Sequence, residues 1–259
     1  MSMISACVIT RNEETDIARC LSSLSFADEI VVVDSGSVDA TVEKAKEFTD
    51  KVFFNEFSDF ASQKNFAVGK ASGEWILSID ADEVVPEELA AEIRDAAEGD
   101  EKICAFNVNR INYMYGRRLK YFSQPDYNIR LFKKDVCAFT QPVHEYVECA
   151  GEVGTLKGSF LHYSIASLAE HMEKARMYTS LEVDILSGMK PIGSVMLLLK
   201  MLINPPLRFC QNYFLLKGML EGGIGFIISF NAAIVELMKC YKCFKWSLKK
   251  GKQDGEKLG

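Results

Sequence analysis

Two aspartates follow a run of apolar, strand-forming residues in the segment 75–83, which reads WILSIDADE. Asp80 and Asp82 are separated by one small residue, and alternate residues of an extended chain face the same side. The two carboxylates can therefore converge at the C-terminal end of a strand. Carboxylate oxygens are ligands that hard divalent cations such as Mg²⁺ and Mn²⁺ prefer. The spacing predicts metal-assisted chemistry on a nucleotide or another phosphate-bearing substrate.

The first hundred residues alternate between apolar strands and amphipathic helices. The pattern predicts strands at 4–9, 29–33, 51–54 and 75–79, and helices at 13–24, 37–48, 60–71 and 86–97. Asn12 is a candidate N-cap of the first helix. Uninterrupted apolar strands that alternate with helices are typical of a mostly parallel sheet with helices on both faces.

Polar clusters follow three of these strands. They are Thr10-Arg11-Asn12, Asp34-Ser35-Gly36-Ser37 and Asp80-Ala81-Asp82. Ligands of such sheets bind beyond the carboxyl ends of the strands, so the clusters predict one shared site. A purely structural role stays open for each, because Ser37, Asp39 and the acidic turn at 80–83 could simply cap helices.

The second half of the chain changes character. Residues 104–163 predict antiparallel strands, 166–186 an amphipathic helix, and the chain from Val195 onward is apolar and glycine-rich. We predict a catalytic domain at 1–190, with a donor-binding half at about 1–100 and an acceptor half at about 101–190. A helical segment at 191–250 and a disordered tail at 251–259 follow.

Composition limits the setting of the chain. The net charge of −6 argues against a global nucleic-acid-binding surface. The eight cysteines are scattered in apolar contexts, which does not predict a disulfide framework and fits a reducing cytoplasm. The N-terminus has no basic region followed by a long apolar core, so we predict no signal peptide.

The C-terminal segment predicts a membrane contact. Residues 222–235 lack charge but are too short for a confident span, and lysines and aromatic residues follow them. This pattern favours an interfacial helix on the inner face of the cytoplasmic membrane. A helical subdomain packed on the catalytic domain, or a homo-oligomer contact, is the alternative.

Three segments in this order resemble one known family: ISACVITRNEE, IVVVDSGSVDAT and QKNFAVGKASGEWILSIDADE. They look like family 2 glycosyltransferases with the GT-A fold, in particular the branch of lipopolysaccharide-core glucosyltransferases. The resemblance covers about the first hundred residues and continues more weakly through QPVHEYVE and LHYSIASLAEHMEKA. It implies a nucleotide-sugar donor, with a UDP-sugar favoured, and a Mg²⁺ or Mn²⁺ cofactor.

The resemblance also implies roles for individual donor-side residues. Asp82 would hold the metal, Asp80 would touch the ribose or sugar and assist the metal, and Asp34 would bind the base or ribose. The other donor-side residues would lie near the nucleoside or beside the nucleotide: Thr10, Asn12, Glu13, Lys64 and Asn65.

The acceptor side needs a general base. Glu145 in PVHEYV is the first candidate and Asp126 in SQPDYN is its rival. His162 could complete the metal shell or contact the diphosphate, or be an ordinary core histidine. Arg130 could neutralise phosphate or pair with an acid.

We therefore predict inverting transfer of a hexose from a nucleoside-diphosphate sugar to a hydroxyl of a glycan or lipid-linked acceptor, in the lipopolysaccharide core or another cell-surface glycan. Three alternatives stay open. One is a haloacid-dehalogenase-type phosphatase with Asp80 as nucleophile, the second a sugar-nucleotide-forming transferase, and the third a non-catalytic membrane scaffold with the same fold.

Overall fold

The structure is a computed structural model of the chain. It describes residues 2–140, 146–165, 167–168, 170–173, 175–176, 179 and 194–256. Contacts divide the chain into two compact units. The first comprises Met1–Tyr113 with Pro125–Ser164, and the second comprises Met114–Gln124 with Ile165–Gly259. The boundary between the units lies at Ser164/Ile165, whereas the sequence predicts a domain boundary at 190. The second unit also includes the short segment 114–124.

The first unit is built around one mixed sheet. Its strands are β1 (Ile4–Thr10), β2 (Glu29–Asp34), β3 (Val52–Phe54), β4 (Trp75–Asp80), β5 (Glu83–Val84), β6 (Ile103–Met114), β8 (Tyr127–Lys133) and β11 (Glu152–Ile165), in the order β3-β2-β1-β4-β8-β6-β11-β5. Strands β9 (Cys137–Thr140) and β10 (Tyr146–Cys149) form a separate hairpin ladder. The remaining short strand, β7 (Arg117–Arg118), belongs to the second unit.

The four strands from β3 to β4 run parallel, and β4 pairs antiparallel with β8. In this register Thr10 lies beside Asp34, and Ile9 lies beside Asp80. The carboxyl ends of three neighbouring strands therefore meet at one edge, as the sequence predicts. The antiparallel half begins at β8, so the sheet is parallel in its first half only.

Helices cover both faces of the parallel half, which confirms the layered arrangement. They are α1 (Ile17–Ser22), α2 (Thr41–Ala45), α3 (Phe60–Lys70) and α4 (Glu87–Ala97). Alternate residues of β1 point to opposite faces: Ile4, Ala6 and Val8 belong to one buried cluster, and Cys7 belongs to the other. The first cluster includes apolar residues of α1 and α4, and the second includes those of α3.

Two predicted helices are shorter in the structure. The first begins at Ile17, not at Glu13, and Asn12 is not its N-cap. Asn12 instead has a positive φ of 54°, and its side-chain oxygen accepts a hydrogen bond from Val38 N at 2.8 Å. The second shortened helix, α2, begins at Thr41, and residues 37–40 form a loop before it. In that loop the Asp39 carboxylate accepts a hydrogen bond from Thr41 N at 3.1 Å. Both corrections have one cause: polar side chains bind loop amides that helical turns would otherwise use.

One disulfide was not foreseen from the cysteine spacing. Cys137 and Cys149 are directly opposite each other in the β9–β10 ladder and form a disulfide, with their Cα atoms 4.3 Å apart. The other six cysteines are free thiols. Burial raises the pKa of Cys7 to about 12, so this thiol stays protonated and packs as a small apolar group.

The second unit contains two long helices, α5 (Ser194–Cys210) and α6 (Gly223–Glu256). A π-helical turn, Gln211–Leu215, and a 3₁₀ turn, Gly218–Glu221, connect them. Of the predicted helix at 166–186, the described residues 168, 170–173, 175–176 and 179 are helical. Helix α6 continues through Glu256, into the segment 251–259 for which the sequence predicts a disordered tail.

Gly73 allows β4 to start close beside β1. A Cβ there would lie 2.6 Å from Ser5 Oγ, 2.7 Å from Met3 O and 2.8 Å from Ser5 N, and two of these atoms are backbone. We expect Gly73→Ala to lower the free energy of unfolding by about 2–3 kcal/mol, because β1 must shift to admit the methyl group. Chemical denaturation followed by circular dichroism measures the change.

The matched control is Gly69→Ala, in the exposed part of α3, where a Cβ would have nothing within 4 Å. It should raise the stability by about 0.5–1 kcal/mol, because alanine loses less backbone entropy than glycine. Equal effects of the two substitutions would contradict the close approach at Gly73.

Candidate active site

The loop after β2 is shaped around Asp34, which is 5% exposed. Asp34 Oδ2 accepts hydrogen bonds from Gly36 N at 2.8 Å and Ser37 N at 2.9 Å. Gly36 has a φ of +94°, which a residue with a side chain rarely adopts. Ser37 Oγ donates to the other carboxylate oxygen, Asp34 Oδ1. The carboxylate therefore fixes a tight turn at the strand end and keeps lone-pair capacity on Oδ1 for a further donor.

The loop after β1 is joined to this turn. Asn12 N donates to Ser37 Oγ at 2.8 Å, and Glu13 N donates to Thr41 Oγ1 at 2.8 Å. Thr10 ends β1 just before this loop, and its Oγ1 is buried and has no hydrogen-bond partner among the described residues. A buried hydroxyl without a partner costs free energy unless a ligand or water completes it. Thr10 therefore leaves one hydroxyl with unsatisfied hydrogen-bonding capacity at the strand-end edge.

Asp80, at the end of β4, is held by two cations. Lys64 Nζ lies 3.3 Å from Asp80 Oδ1, and both terminal nitrogens of Arg130 lie 3.3 Å from Asp80 Oδ2. Arg130 Nη2 also donates to Glu83 Oε1 at 2.7 Å, and Glu83 Oε2 accepts the Asp80 N–H at 2.9 Å. Glu83 is fully buried, and Lys64 and Arg130 are nearly so.

This arrangement sets the protonation of the carboxyls. Burial disfavours the charged form of Asp80, but Lys64 and Arg130 outweigh it and hold the pKa of Asp80 well below its usual range. Burial raises the pKa of Glu83; Arg130 opposes that shift and Asp80 adds to it. For Arg130, burial is outweighed by Glu83 and Asp80, so its pKa is raised further. Asp80 and Arg130 are therefore a fixed ion pair at neutral pH.

Helix α3 positions Lys64 through its neighbour Asn65. The Asn65 amide donates to Phe139 O at 2.8 Å and accepts from Phe139 N at 3.0 Å, which attaches α3 to β9. Lys64 Nζ also lies 5.5 Å from the centre of the Phe139 ring. The side-chain amide of Asn65 is therefore hydrogen-bonded to the backbone of β9, while Lys64 faces Asp80.

Asp82 faces His162 rather than Arg130. The pairing of β5 with β11 puts His162 opposite Glu83, and Tyr163 N donates to Asp82 O at 2.9 Å. His162 Nε2 lies 3.2 Å from Asp82 Oδ2, and His162 Nδ1 lies 2.7 Å from Asn112 Oδ1. If Nδ1 donates its proton to the Asn112 oxygen, Nε2 faces the carboxylate either as a second N–H donor or as a metal ligand beside it.

A cavity of about 610 Å³ opens beside Asp80 within the first unit. Its polar and charged lining residues are Lys64, Asp80, Asn107, Arg110, Tyr127, Asn128, Arg130 and Tyr146. Asp126 stands behind Arg110: its Oδ2 accepts from Arg110 Nε at 2.8 Å, and its Oδ1 accepts from Asn128 Nδ2 at 2.9 Å. The cavity wall is thus basic, and Asp126 orients that wall.

Comparison with known protein families shows the family of this chain. Residues 5–151, more than half of the sequence, match the family described as Glycosyl transferase family 2. The chain belongs to glycosyltransferase family 2. The strand-end edge with its paired loops lies within the matched region, and the fold is of the GT-A class, as the resemblance implies.

Relatives of this glycosyltransferase are similar over nearly their whole length. The lipopolysaccharide core biosynthesis glycosyltransferase LpsC of Rhizobium meliloti is 29% identical over 258 residues, covering 93% of this chain and 92% of LpsC. The uncharacterized glycosyltransferase RT0209 of Rickettsia typhi is 29% identical over 264 residues, covering 96% and 89%. The crystal structure of S. aureus TarS 1-349 in complex with UDP is 16% identical, covers 96% of this chain and 92% of that one, and gives a TM-score of 0.45.

Family membership replaces the haloacid-dehalogenase hypothesis. An aspartyl nucleophile needs a free carboxylate oxygen, whereas both oxygens of Asp80 are bound by cations. Of the two general-base candidates, Asp126 has hydrogen-bond donors on both carboxylate oxygens. The other candidate, Glu145, lies outside the described residues.

Sequence reasoning missed three side chains of this glycosyltransferase site. Glu83 looked like a helix-capping acid but is fully buried beneath Asp80. Arg110 and Asn112 lie on β6 two residues apart, so both project to the same face of the strand. Alternation of polar residues in NVNRINY was the one available clue, and it could not name their partners.

Arg130 generates a prediction on stability. Arg130→Gln leaves the fully buried Glu83 and the partly buried Asp80 without their shared cation, and we expect a loss of about 3–5 kcal/mol near neutral pH. Asp80 keeps Lys64, whereas Glu83 loses the main charge that opposes its raised pKa, so the folded-state pKa of Glu83 rises further above the unfolded value. A carboxyl group with a raised folded-state pKa stabilises the fold below the unfolded pKa and loses that contribution as pH rises. The deficit should therefore be smaller near pH 5 than near pH 8 in urea denaturation.

Arg94→Gln is the control, because Arg94 pairs with Asp28 at a partly exposed site with side chains 34% and 37% exposed. It should cost about 1 kcal/mol or less. An Arg130→Gln deficit that is equally large at both pH values would refute the assignment of a buried ion pair.

Proposed function

We propose that this glycosyltransferase moves a hexose from a nucleoside-diphosphate sugar to a hydroxyl of a glycan or lipid-linked acceptor by a metal-assisted inverting displacement. One observation carries the proposal. The Asp82 carboxylate and the His162 imidazole face each other across 3.2 Å at the edge where the parallel strands end.

The residues at this edge fit a divalent cation. A carboxylate oxygen and an imidazole nitrogen are both metal ligands, and a proton on Nδ1 held by the Asn112 oxygen would leave the Nε2 lone pair to coordinate. The mixed donor pair favours Mn²⁺ and also admits Mg²⁺. When bound, the cation would offset negative charge on the departing diphosphate. Two protein ligands leave room for diphosphate oxygens in its shell.

The donor would lie along the strand ends. Thr10 offers its buried hydroxyl and Asp34 its remaining lone pairs to the nucleoside, for which uridine is favoured. Asn12 and Glu13 hold the loop that forms this wall. Lys64 and Arg130 fix Asp80, so that its carboxylate is pre-oriented toward the ribose or sugar.

Proton removal from the acceptor is assigned to Glu145. It precedes β10 in the sequence, and Tyr146 and Val147 of that strand line the cavity beside Asp80. The rival Asp126 accepts bonds from Arg110 and Asn128, which lowers the availability of its lone pairs for a proton. Attack by the deprotonated hydroxyl on the face of the sugar opposite the diphosphate inverts the anomeric centre.

The acceptor is proposed to be a lipopolysaccharide-core sugar or another cell-surface glycan, because LpsC is named for that pathway and is similar over 93% of this chain. Such an acceptor is lipid-linked, so we place the protein on the inner face of the cytoplasmic membrane. By length and composition, residues Gly223–Leu248 of α6 could cross a membrane, with a mean hydropathy of 1.5 and 28% of the apolar window buried.

A thermal-shift screen of nucleotide sugars with Mn²⁺ tests the proposal. A ligand that binds the native state raises the unfolding midpoint. We expect a UDP-sugar to raise it with Mn²⁺ and to raise it less after chelation. Binding without release of UDP in the presence of glycan acceptors would favour the non-catalytic scaffold.

The metal pair gives the next prediction. Asp82→Asn and His162→Ala should each lower kcat by about a hundredfold or more, because each removes a ligand of the proposed cation. Both should also weaken Mn²⁺-dependent UDP binding, measured by isothermal titration calorimetry. Asp95→Asn makes the same charge change on an exposed face of α4 and should leave both values within twofold. Full activity of either site variant would exclude a metal held by this pair.

The two base candidates can be separated by one pair of variants. Glu145→Gln should abolish transfer while donor binding and metal binding persist. Asp126→Asn should lower kcat by about tenfold at most, through a less fixed Arg110. The reverse ranking in single-turnover assays would make Asp126 the base.

A further inference from the structure

Charge is distributed very unevenly between the two units. The segments Met114–Gln124 and Ile165–Gly259 contain 16 lysines and arginines against 8 acids, a net charge of +8. The segments Met1–Tyr113 and Pro125–Ser164 contain 14 against 28, a net charge of −14. An acidic protein therefore has one strongly basic unit, whose field attracts anionic surfaces.

The same basic unit exposes many large apolar side chains. Between residues 196 and 241 these are Met196, Leu198, Leu199, Leu202, Ile203, Leu207, Phe214, Leu215, Met219, Leu220, Phe226, Ile227, Phe230, Leu237 and Tyr241, each at least 41% exposed. Leu202 and Leu215 are 74% and 77% exposed. So many exposed large apolar side chains in one unit are rare on a soluble monomer and indicate an interaction surface.

Glu221 joins a basic loop to the apolar turn between α5 and α6. Its Oε1 accepts the backbone N–H groups of Lys120 at 2.6 Å, Tyr121 at 2.5 Å and Phe122 at 3.0 Å. Ser123 N also donates to Leu216 O at 3.3 Å. The segment 120–123 is therefore attached to the turn. The Glu221 carboxylate binds backbone N–H groups of this segment.

A cavity of about 320 Å³ lies at this junction. Arg117, Arg118 and Lys120 line one side with exposed side chains, and Leu220 and Ile224 line the other. Three cations next to the exposed Leu220 and the half-buried Ile224 match the boundary between lipid phosphates and acyl chains.

We propose that this junction is a docking site for the headgroup phosphates of an anionic bilayer, with the exposed apolar side chains of the turn 211–222 inserted among the acyl chains. This inference rests on the proposed membrane association. It assigns the preference for anionic lipids to three cationic residues. Arg117, Arg118 and Lys120 bind phosphates at the surface. Leu215, Leu220 and their neighbours bury apolar area below them.

Charge also decides between a bilayer and a second copy of the chain. A second copy would bring its own +8 unit against this one, and like charges oppose such a contact. An anionic lipid surface supplies the opposite charge and an apolar phase together.

Vesicle flotation of the full chain tests the docking site. The wild type should float with phosphatidylglycerol-containing vesicles and at least about tenfold less with pure phosphatidylcholine, and high salt should release much of it. The triple variant Arg117→Gln/Arg118→Gln/Lys120→Gln should bind anionic vesicles at least about tenfold more weakly. Leu215→Ser, which keeps every cation, should weaken binding to both vesicle types.

Lys46→Gln/Lys102→Gln/Lys157→Gln is the matched control, because it removes three exposed lysines from the other unit. It should bind as the wild type does. Equal loss in the control and the triple variant would mean attraction by overall charge only, and unchanged binding of the triple variant would overturn the site. So would a stable dimer in lipid-free light scattering that Leu215→Ser disperses.

Donor binding separates this inference from the proposed function. The triple variant should keep the Mn²⁺-dependent thermal shift with a UDP-sugar, because its three residues are not among those assigned to the donor or the metal ion. Loss of vesicle binding with an intact shift supports the docking site. An absent shift in the wild type would refute the donor proposal and leave the flotation result to stand alone.

Discussion

The ion pair between Arg130 and the Asp80–Glu83 turn is the interaction on which the site depends. Arg130 comes from the antiparallel half of the sheet, and its guanidinium reaches both carboxylates of a turn in the parallel half. Breaking such a buried pair is expensive because it leaves charge without compensation. The pair therefore couples the two halves of the sheet and fixes the backbone that leads to Asp82.

The fixed turn places Asp80 and Asp82 in different environments. Asp80 is bound by Lys64 and Arg130, so it is a rigid anion with little freedom to capture a cation alone. Asp82 has no such partner in the described residues and faces His162. This division suits the proposed reaction, in which Asp80 would orient the sugar or ribose and Asp82 would hold the metal ion that offsets charge on the diphosphate.

Much of the parallel half could be predicted from the sequence, because uninterrupted apolar strands such as 29–33 and 75–79 have few alternative structures. The strand-end clusters followed from that topology alone. The partners of those clusters could not be predicted: Arg130, Arg110 and His162 reach the edge through the registers of β8, β6 and β11, and register is a long-range property. Asn12 was assigned to a helix cap for the same reason, since its true partner, Val38, is 26 residues away.

The most direct test of the account is the coordination of Mn²⁺ in the presence of UDP, measured by pulsed electron paramagnetic resonance. The account predicts nitrogen modulation from the His162 ring together with phosphorus coupling from the diphosphate. The nitrogen signal should vanish in His162→Ala, and the phosphorus coupling should weaken in Asp82→Asn. Mn²⁺ bound with UDP but without any nitrogen coupling, or a nitrogen signal that survives in His162→Ala, would contradict the central claim that Asp82 and His162 hold the cation.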